Sequence, residues 1–173
     1  MTSPSPSPQS ETLTGYLGRA REVVLTEIQR IVGGEGRYDA VLYQLMLDYP
    51  LREAKALRPA LCMASCRAAG GHLEAVLRSA AVLELYHNAF LVHDDIEDES
   101  LMRRGRPTLH REHGIPIAVN VGDAMLSLTL EPLLENVKLM GLGPALKVLQ
   151  AIGRMSRETV EGQALELDWV RND

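Results

Sequence analysis

The chain has 173 residues, of which 46% are hydrophobic, 24% charged and only 4% aromatic. This composition is typical of one globular domain with a sizeable core, and the dominance of Leu and Ala over aromatic residues favours helices over sheets. The net charge of -5 gives no support to a general role in nucleic-acid binding. We identify no apolar run approaching the roughly 18 residues that span a membrane.

The first ten residues, rich in Ser and Pro, lack the basic and apolar regions of a secretory signal. They are predicted to form a disordered tail over 1–10, ahead of a helical domain over 11–173. Cys62 and Cys66 would share one face of a helix and are interpreted as buried core thiols rather than metal or redox ligands. Together these features predict a protein of the reducing cytoplasm.

Apolar residues recur at helical spacing along the rest of the chain. No alternating strand pattern of useful length is present, so the sequence predicts an all-α fold. Tyr49-Pro50-Leu51 is expected to break the chain after the second helix, and residues 100–108 are expected to form a loop. The predicted helices cover residues 11–32, 38–48, 59–69, 73–98, 116–134 and 144–169.

An acidic motif, Asp94-Asp95-Ile96-Glu97-Asp98, ends the long apolar helix of 73–98. Asp94 and Asp98 are one turn apart and project together, and Asp95 lies about 100° round the helix from Asp94. The helix macrodipole disfavours acids at this end, and crowded carboxylates repel one another unless a cation sits among them. Mg²⁺ commonly bridges one or two carboxylates to the phosphates of a substrate. The motif therefore predicts a Mg²⁺-diphosphate site.

Basic residues suited to phosphate flank this motif on both sides. Arg103 and Arg104 follow it, before Gly105, and guanidinium groups bind phosphates bidentately. Lys55 and Arg58 lie at the start of the helix that contains Pro59, where a helix already attracts anions. The pair indicates either a second phosphate site or two solvated charges.

Several residues near these motifs also have ordinary interpretations when taken singly. His87 on an apolar helix suits a hydrogen-bonded core histidine, and His93 could merely flank the acids. Glu97 and Glu99 suit solvated charges, and Asp123 suits a capped or hydrogen-bonded core acid. The order and spacing of the motifs together outweigh these separate interpretations.

Lys55, Arg58-Pro59, His87, the Asp94–Asp98 motif and Arg103-Arg104-Gly105 together resemble the trans-isoprenyl diphosphate synthases, the polyprenyl synthetase family. The resemblance covers about residues 13–168 and implies the N-terminal half of an isoprenoid-synthase-like antiparallel helical bundle. It implies Mg²⁺-dependent transfer of an allylic prenyl group to isopentenyl diphosphate. Class I terpene cyclases share an Asp-rich motif, but the upstream Lys/Arg-Pro element and the double Arg point to the prenyl-joining branch.

The resemblance also implies roles for individual residues. Asp94, Asp95 and Asp98 would hold Mg²⁺ on the allylic diphosphate, with Asp94 and Asp98 as the main ligands, and Arg103 would contact the same diphosphate. The Gly162-Gln163 pair would line the cavity. The pocket for the diphosphate of isopentenyl diphosphate would be formed by Lys55, Arg58, His87 and Arg104.

The implied chemistry suits these residue types. Cations neutralise the diphosphate, the allylic C–O bond ionises, the double bond of isopentenyl diphosphate attacks the cation, and the released diphosphate takes the lost proton. In this family the residues four and five positions before the first Asp form the floor under the growing tail. Here they are Phe90 and Ala89, which implies a twenty-carbon, geranylgeranyl-type product, with longer ones possible.

The sequence departs from the family in one respect. Members carry a second aspartate-rich motif in a later half, and no Asp-rich cluster follows Asp98 here. The chain is therefore expected to be a truncated product, one subunit of a split synthase, or a non-catalytic partner subunit, and the retained acids and arginines argue against the last. A homodimer, or a heteromer with a subunit that carries the second motif, is expected. A Mg²⁺-binding structural protein is the remaining alternative.

Overall fold

The computed structural model describes residues 12–34 and 41–172. Within these residues the fold is all-α apart from one small hairpin, as predicted, while the tail over 1–10 and the start of the second predicted helix lie outside the described residues. In chain order the elements are α1 (Leu13–Gly33), α2 (Val41–Leu51), α3 (Leu57–Ala68), α4 (Leu73–Glu97), β1 (Met102–Arg103), β2 (Arg106–Pro107), α5 (Leu109–His113), α6 (Ile115–Leu128), α7 (Leu130–Met140) and α8 (Leu142–Asn172).

Helix α4 lies at the centre of the bundle and packs against α1, α3, α6 and α7. Helix α1 shows why the sequence packs this way: Ala20, Val24, Ile28 and Ile31 recur every three or four residues, and all four are buried. They join the buried face of α4 in the main core, the apolar cluster shared by α1 to α6. Because α4 is held on several sides, its C-terminal end, with the acidic motif, has a fixed position.

The predicted break at Tyr49-Pro50-Leu51 is wrong, because α2 continues through Pro50 to Leu51. A proline in the last turn of a helix removes a single backbone hydrogen bond. Burial of Tyr49 and Pro50 offsets that loss. The end of α2 is therefore a packed element rather than a loop.

The single helix predicted over 116–134 is also wrong, because α6 and α7 meet at Thr129. The Thr129 hydroxyl donates to the Leu126 carbonyl at 2.6 Å, which competes with the helical ladder at that point.

Helices α6 and α7 together form one long apolar stretch. By length and composition, Ile115–Met140 could cross a membrane, so the expectation that no apolar run approaches this length is too strict. Ala118, Val121 and Met125 of this stretch are fully buried in the main core, and a buried core helix can be equally long and apolar.

Residues 102–107, within the predicted loop, form a short antiparallel hairpin in which Arg103 pairs with Arg106. Its turn is Arg104–Gly105, with φ of 51° and 78°. Two positive φ angles are what a two-residue type I′ loop requires. Strands of two residues are too short to leave an alternating pattern in the sequence, which is why periodicity missed them.

Helix α8 has 31 residues and is packed mainly through its first half. Ala145 and Ile152 are buried, and Ile152 joins Val82, Tyr86 and Leu133 in a second apolar cluster. Beyond residue 156 nearly all side chains of α8 are exposed.

The two cysteines of α3 differ from the prediction that they are buried core thiols. Cys62 and Cys66 are free and half-buried at the edge of the main core rather than fully buried.

Candidate functional site

The three aspartates of the acidic motif have different surroundings. Asp95 is fully buried, and its carboxylate accepts hydrogen bonds from the Tyr49 hydroxyl at 2.5 Å and from Arg103 Nε at 2.9 Å. Arg103 Nη2 also contacts Asp95, and it lies 3.3 Å from Asp94 Oδ2. Asp98 caps the C-terminal end of α4 and is exposed.

These contacts show how Asp95 is held. Both of its oxygens have hydrogen-bond partners inside the protein, so Asp95 anchors Arg103, and its role as a Mg²⁺ ligand stays a prediction. Burial, followed by the hydrogen bond to Asp95, raises the pKa of Tyr49, which stays a neutral donor. Asp94 and Asp98 are left as the carboxylates that face outward.

The electrostatics of Asp94 fit a cation site. Burial raises its pKa, the charges of Asp98, Asp95 and Glu97 raise it further, and Arg103 opposes them. A divalent cation between Asp94 and Asp98 would relieve this repulsion. Within residues 12–34 and 41–172 no cluster of three metal-binding side chains is found. Two hard oxygen donors suit Mg²⁺, which takes its remaining ligands from water and substrate phosphates.

A second group of cations faces α4 one to two turns earlier. Arg58, in the first turn of α3, has its Nη1 3.1 Å from His87 Nε2. Burial, and then the charges of Arg58, Arg104 and Arg103, lower the pKa of His87 to about 4. Because a guanidinium can only donate, Nε2 is the acceptor and the proton of this neutral imidazole lies on Nδ1. His87 is thus a hydrogen-bonded residue within a cationic cluster.

Arg104 belongs to the same cluster. Its Nη1 donates to the Tyr49 carbonyl at 2.9 Å and lies 3.4 Å from Asn88 Oδ1. Asn88 Nδ2 in turn donates to the buried Glu84. Burial raises the pKa of Glu84, and the hydrogen bond from Asn88 and the nearby arginines only partly oppose that rise. Glu84 and Asn88 were missed from the sequence, although an acid and an amide one turn apart within an apolar helix are a signal.

Lys55 is the predicted residue that is not brought into this cluster. It is exposed in the link between α2 and α3, after which Ala56 adopts a left-handed conformation with φ of 48°. Within the described parts of the chain, Lys55 has no hydrogen bond or ion pair.

A groove of about 380 Å³ runs between α4 and α8 and begins at the acidic motif. Asp94 and Glu97 lie at one end, and Gln163 contributes from α8, whereas its neighbour Gly162 is exposed. Phe90 lines the groove and its ring centroid lies 6.1 Å from that of Tyr86. Further apolar lining comes from Leu91, Leu126, Val160, Ala164 and Leu167.

The two residues predicted to set tail length are separated by the structure. Phe90 faces the groove, whereas Ala89 is fully buried in the main core. Adjacent residues on a helix point about 100° apart, so only one of the two can face the same space directly.

His93 and Asp123 lie beside the groove. His93 lines it, with Nε2 3.4 Å from Asp123 Oδ1. The side chain of Asp123 is 64% exposed, so it is not the core acid that the sequence suggested. Gly122 lets α6 approach α4 here, because a Cβ atom at this position would lie 2.3 Å from His93 Nε2.

Comparison with known proteins gives consistent results. Residues 40–173 match the family model described as polyprenyl synthetase. The chain is 36% identical over 146 residues to a dimethylallyltranstransferase from Fischerella ambigua (strain UTEX 1903), covering 83% of this chain and 41% of that protein. It is 32% identical over 137 residues to the large subunit 1 of a heterodimeric chloroplastic geranylgeranyl pyrophosphate synthase from Arabidopsis thaliana, covering 75% of this chain and 35% of that protein.

Among solved structures, the geranylgeranyl pyrophosphate synthetase from Pyrococcus horikoshii Ot3 superposes with a TM-score of 0.79 at 33% identity. The match covers 90% of this chain and 47% of that one, so the chain spans about half the length of the proteins it matches. The helical bundle, the acidic motif at the end of α4 and the matched family model agree: this chain belongs to the polyprenyl synthetase family.

Proposed function

We propose that this chain forms the allylic-diphosphate wall of a Mg²⁺-dependent trans-prenyltransferase that joins an allylic diphosphate to isopentenyl diphosphate. The observation that carries the proposal is that a charged region and an apolar groove meet at Asp94. The acids and arginines begin where the apolar groove between α4 and α8 ends. A prenyl diphosphate, with a charged head and an apolar tail, matches that arrangement.

Each group has a part in the reaction. Asp94 and Asp98 would hold Mg²⁺, and when bound the ion would neutralise the diphosphate and so make it a better leaving group. Arg103, held on Asp95, would contact the same diphosphate. The allylic C–O bond would break with its electron pair going to diphosphate, and the apolar groove would keep water from the allylic carbocation that remains. The double bond of isopentenyl diphosphate then attacks the carbocation, and the released diphosphate would take the proton whose loss forms a new double bond.

The second diphosphate would be held by the cluster around Arg58, His87 and Arg104, with Lys55 joining when that anion is present. A neutral His87 suits this role, because its Nδ1–H can donate to a phosphate oxygen while Nε2 stays with Arg58. The positive charge of the pocket then comes from the guanidinium groups, which remain charged at all physiological pH values.

We further propose a twenty-carbon product. Phe90 lines the groove and would limit its depth, whereas Ala89 faces the main core. Relatives named as geranylgeranyl diphosphate synthases support this length.

The chain would act as part of an assembly, either a homodimer or a heteromer with a subunit that supplies the second aspartate-rich motif. The exposed second half of α8 and the relative named as a heterodimer subunit support this proposal. A cytoplasmic location remains part of the proposal.

A product assay tests the function. The purified chain is incubated with Mg²⁺, isopentenyl diphosphate and separate allylic diphosphates of five to fifteen carbons, and products are identified by mass. In parallel, Mg²⁺-dependent binding of an unreactive allylic thiodiphosphate is measured by calorimetry for the wild type, Asp94→Asn and the exposed-acid control Asp168→Asn.

Mg²⁺-dependent binding that is lost only in Asp94→Asn supports the proposal, and five-carbon extension supports it fully. Hydrocarbon release without isopentenyl diphosphate would indicate a terpene cyclase instead. Absence of both binding and turnover in the folded chain, with and without a captured second subunit, would refute the proposal.

A further inference from the structure

A buried guanidinium group lies next to the site, at the end of α2. The side chain of Arg52 is 1% exposed, and cations are rarely buried so completely unless their donors are used. Its Nε donates to Asp48 Oδ1 at 2.8 Å, and its guanidinium carbon lies 4.5 Å from the centre of the Tyr49 ring. These contacts fix the plane of the guanidinium group.

The remaining donors of Arg52 reach the hairpin of 102–107. Nη1 donates to the Arg103 carbonyl and Nη2 to the Pro107 carbonyl, both at 2.8 Å, so that one side chain bridges β1 and the end of β2. Asp48 completes the contact from the same helical turn, with Oδ2 3.0 Å from Arg106 Nη2.

The hairpin needs such support. Strands of two residues are not stable on their own, and this one concentrates Arg103, Arg104 and Arg106, whose charges repel. It is also the element that carries two of the three arginines of the site, the third being Arg58 on α3. Arg103 lies on Asp95 and Arg104 on the Tyr49 carbonyl, so a shift of the hairpin would move both guanidinium groups.

We propose that Arg52 is a positioning residue: it locks the hairpin of 102–107 onto the end of α2, so that Arg103 and Arg104 are held in place before any diphosphate binds. The planar fork of arginine is required, because a lysine ammonium at this position could keep the ion pair with Asp48 but could not bridge two carbonyls. The consequence for substrate rests on the proposed function, whereas the locking of the hairpin does not.

The first arm of the test measures the hairpin alone. Trypsin cuts after Arg103 and Arg104 only when the hairpin opens, and the cutting rate follows the open population. We expect Arg52→Lys to raise cutting at these two bonds about tenfold or more, read by mass spectrometry, and Asp48→Asn to raise it less. The control Arg111→Lys, an exposed residue on α5, should cut like the wild type. Circular dichroism confirms that each variant is folded.

The second arm measures Mg²⁺-dependent binding of an allylic thiodiphosphate to the full chain. We expect weaker binding in Arg52→Lys, and no further loss when Arg52→Lys is added to Arg103→Lys, because both changes act through the same guanidinium. A residue that only contributed to general stability would leave the affinity of the folded chain unchanged, and one that acted on binding by a separate route would give additive losses.

The proposal is overturned if cutting in Arg52→Lys stays within about twofold of the wild type, or if the two substitutions weaken binding additively. Faster cutting with non-additive binding supports it. If the wild-type chain binds no prenyl diphosphate, the proposed function has failed, and the cutting rates still decide whether Arg52 locks the hairpin.

Discussion

The hydroxyl of Tyr49 offers the sharpest test of how Asp95 is held. It donates to Asp95 Oδ2 at 2.5 Å and accepts from the Leu109 backbone N–H at 3.2 Å, in a fully buried position. Tyr49→Phe keeps the ring that packs against Arg52 and removes only the oxygen. Asp95 then retains Arg103 as its partner, while the Leu109 N–H is left without one.

The expected loss of stability follows from these two contacts. A hydrogen bond to a charged group contributes about 1.5–3 kcal/mol, and stranding a buried amide costs about 1–3 kcal/mol. Since the two effects share one atom and do not add fully, we expect Tyr49→Phe to lower the free energy of unfolding by about 2–4 kcal/mol. For a domain of this size, that corresponds to a fall in Tm of about 5–15 °C.

Tyr16→Phe is the matched control, because its hydroxyl donates to a single neutral acceptor, the Ala60 carbonyl at 3.0 Å. It should lose only about 1 kcal/mol. Urea unfolding followed by circular dichroism measures both variants, with the slope of the transition showing that each unfolds from the same folded state. Equal losses in the two variants would refute the reasoning, since Asp95 would then be held by Arg103 without help from Tyr49.

Three further outcomes are expected. His87 has a folded pKa of about 4, below its ordinary 6.5. At pH values between about 4 and 6.5 the unfolded chain therefore binds one more proton at His87 than the folded chain does. The free energy of unfolding should fall as pH is lowered through this range, and urea titrations should show a shallower fall in His87→Gln. The raised pKa of Asp94 means that its charge destabilises the folded state at neutral pH. Thermal unfolding should show Asp94→Asn more stable than the wild type without Mg²⁺, by less than about 1 kcal/mol because the side chain is partly solvated, and no longer stabilised by added Mg²⁺. Phe90→Ala should deepen the groove and lengthen the product by at least one five-carbon unit, measured by mass, and unchanged products would place the floor elsewhere.

The sequence predicted those parts of the site that depend on helical periodicity. The stripe along α4 places Asp94 and Asp98 at one end of an apolar helix, and that geometry needs no knowledge of the other helices. The all-α fold follows in the same way, because long amphipathic segments have few alternatives.

The remaining parts depend on contacts between distant residues. Asp95 differs from its neighbours because Tyr49, 46 positions earlier, reaches its carboxylate. Arg52 matters because carbonyls of the hairpin lie 51 and 55 positions later. In the sequence, Arg52 is one more charge two residues after a proline, and nothing local separates it from a solvated residue. Tertiary packing also overrode the local preference of Pro50 to end its helix.

The turn of the hairpin combines an unfavourable backbone conformation with a side chain of the candidate site. Arg104 has a φ of 51°, a conformation that disfavours residues with a Cβ atom by about 1 kcal/mol and is better suited to Asn or Gly. The same backbone geometry sends its guanidinium back to the Tyr49 carbonyl. Asn at this position would relax the turn, but it would also lose the hydrogen bond to the Tyr49 carbonyl and one of the three arginines of the site. The strain at this residue marks a position where the fold has kept a charged side chain at the expense of its most stable turn.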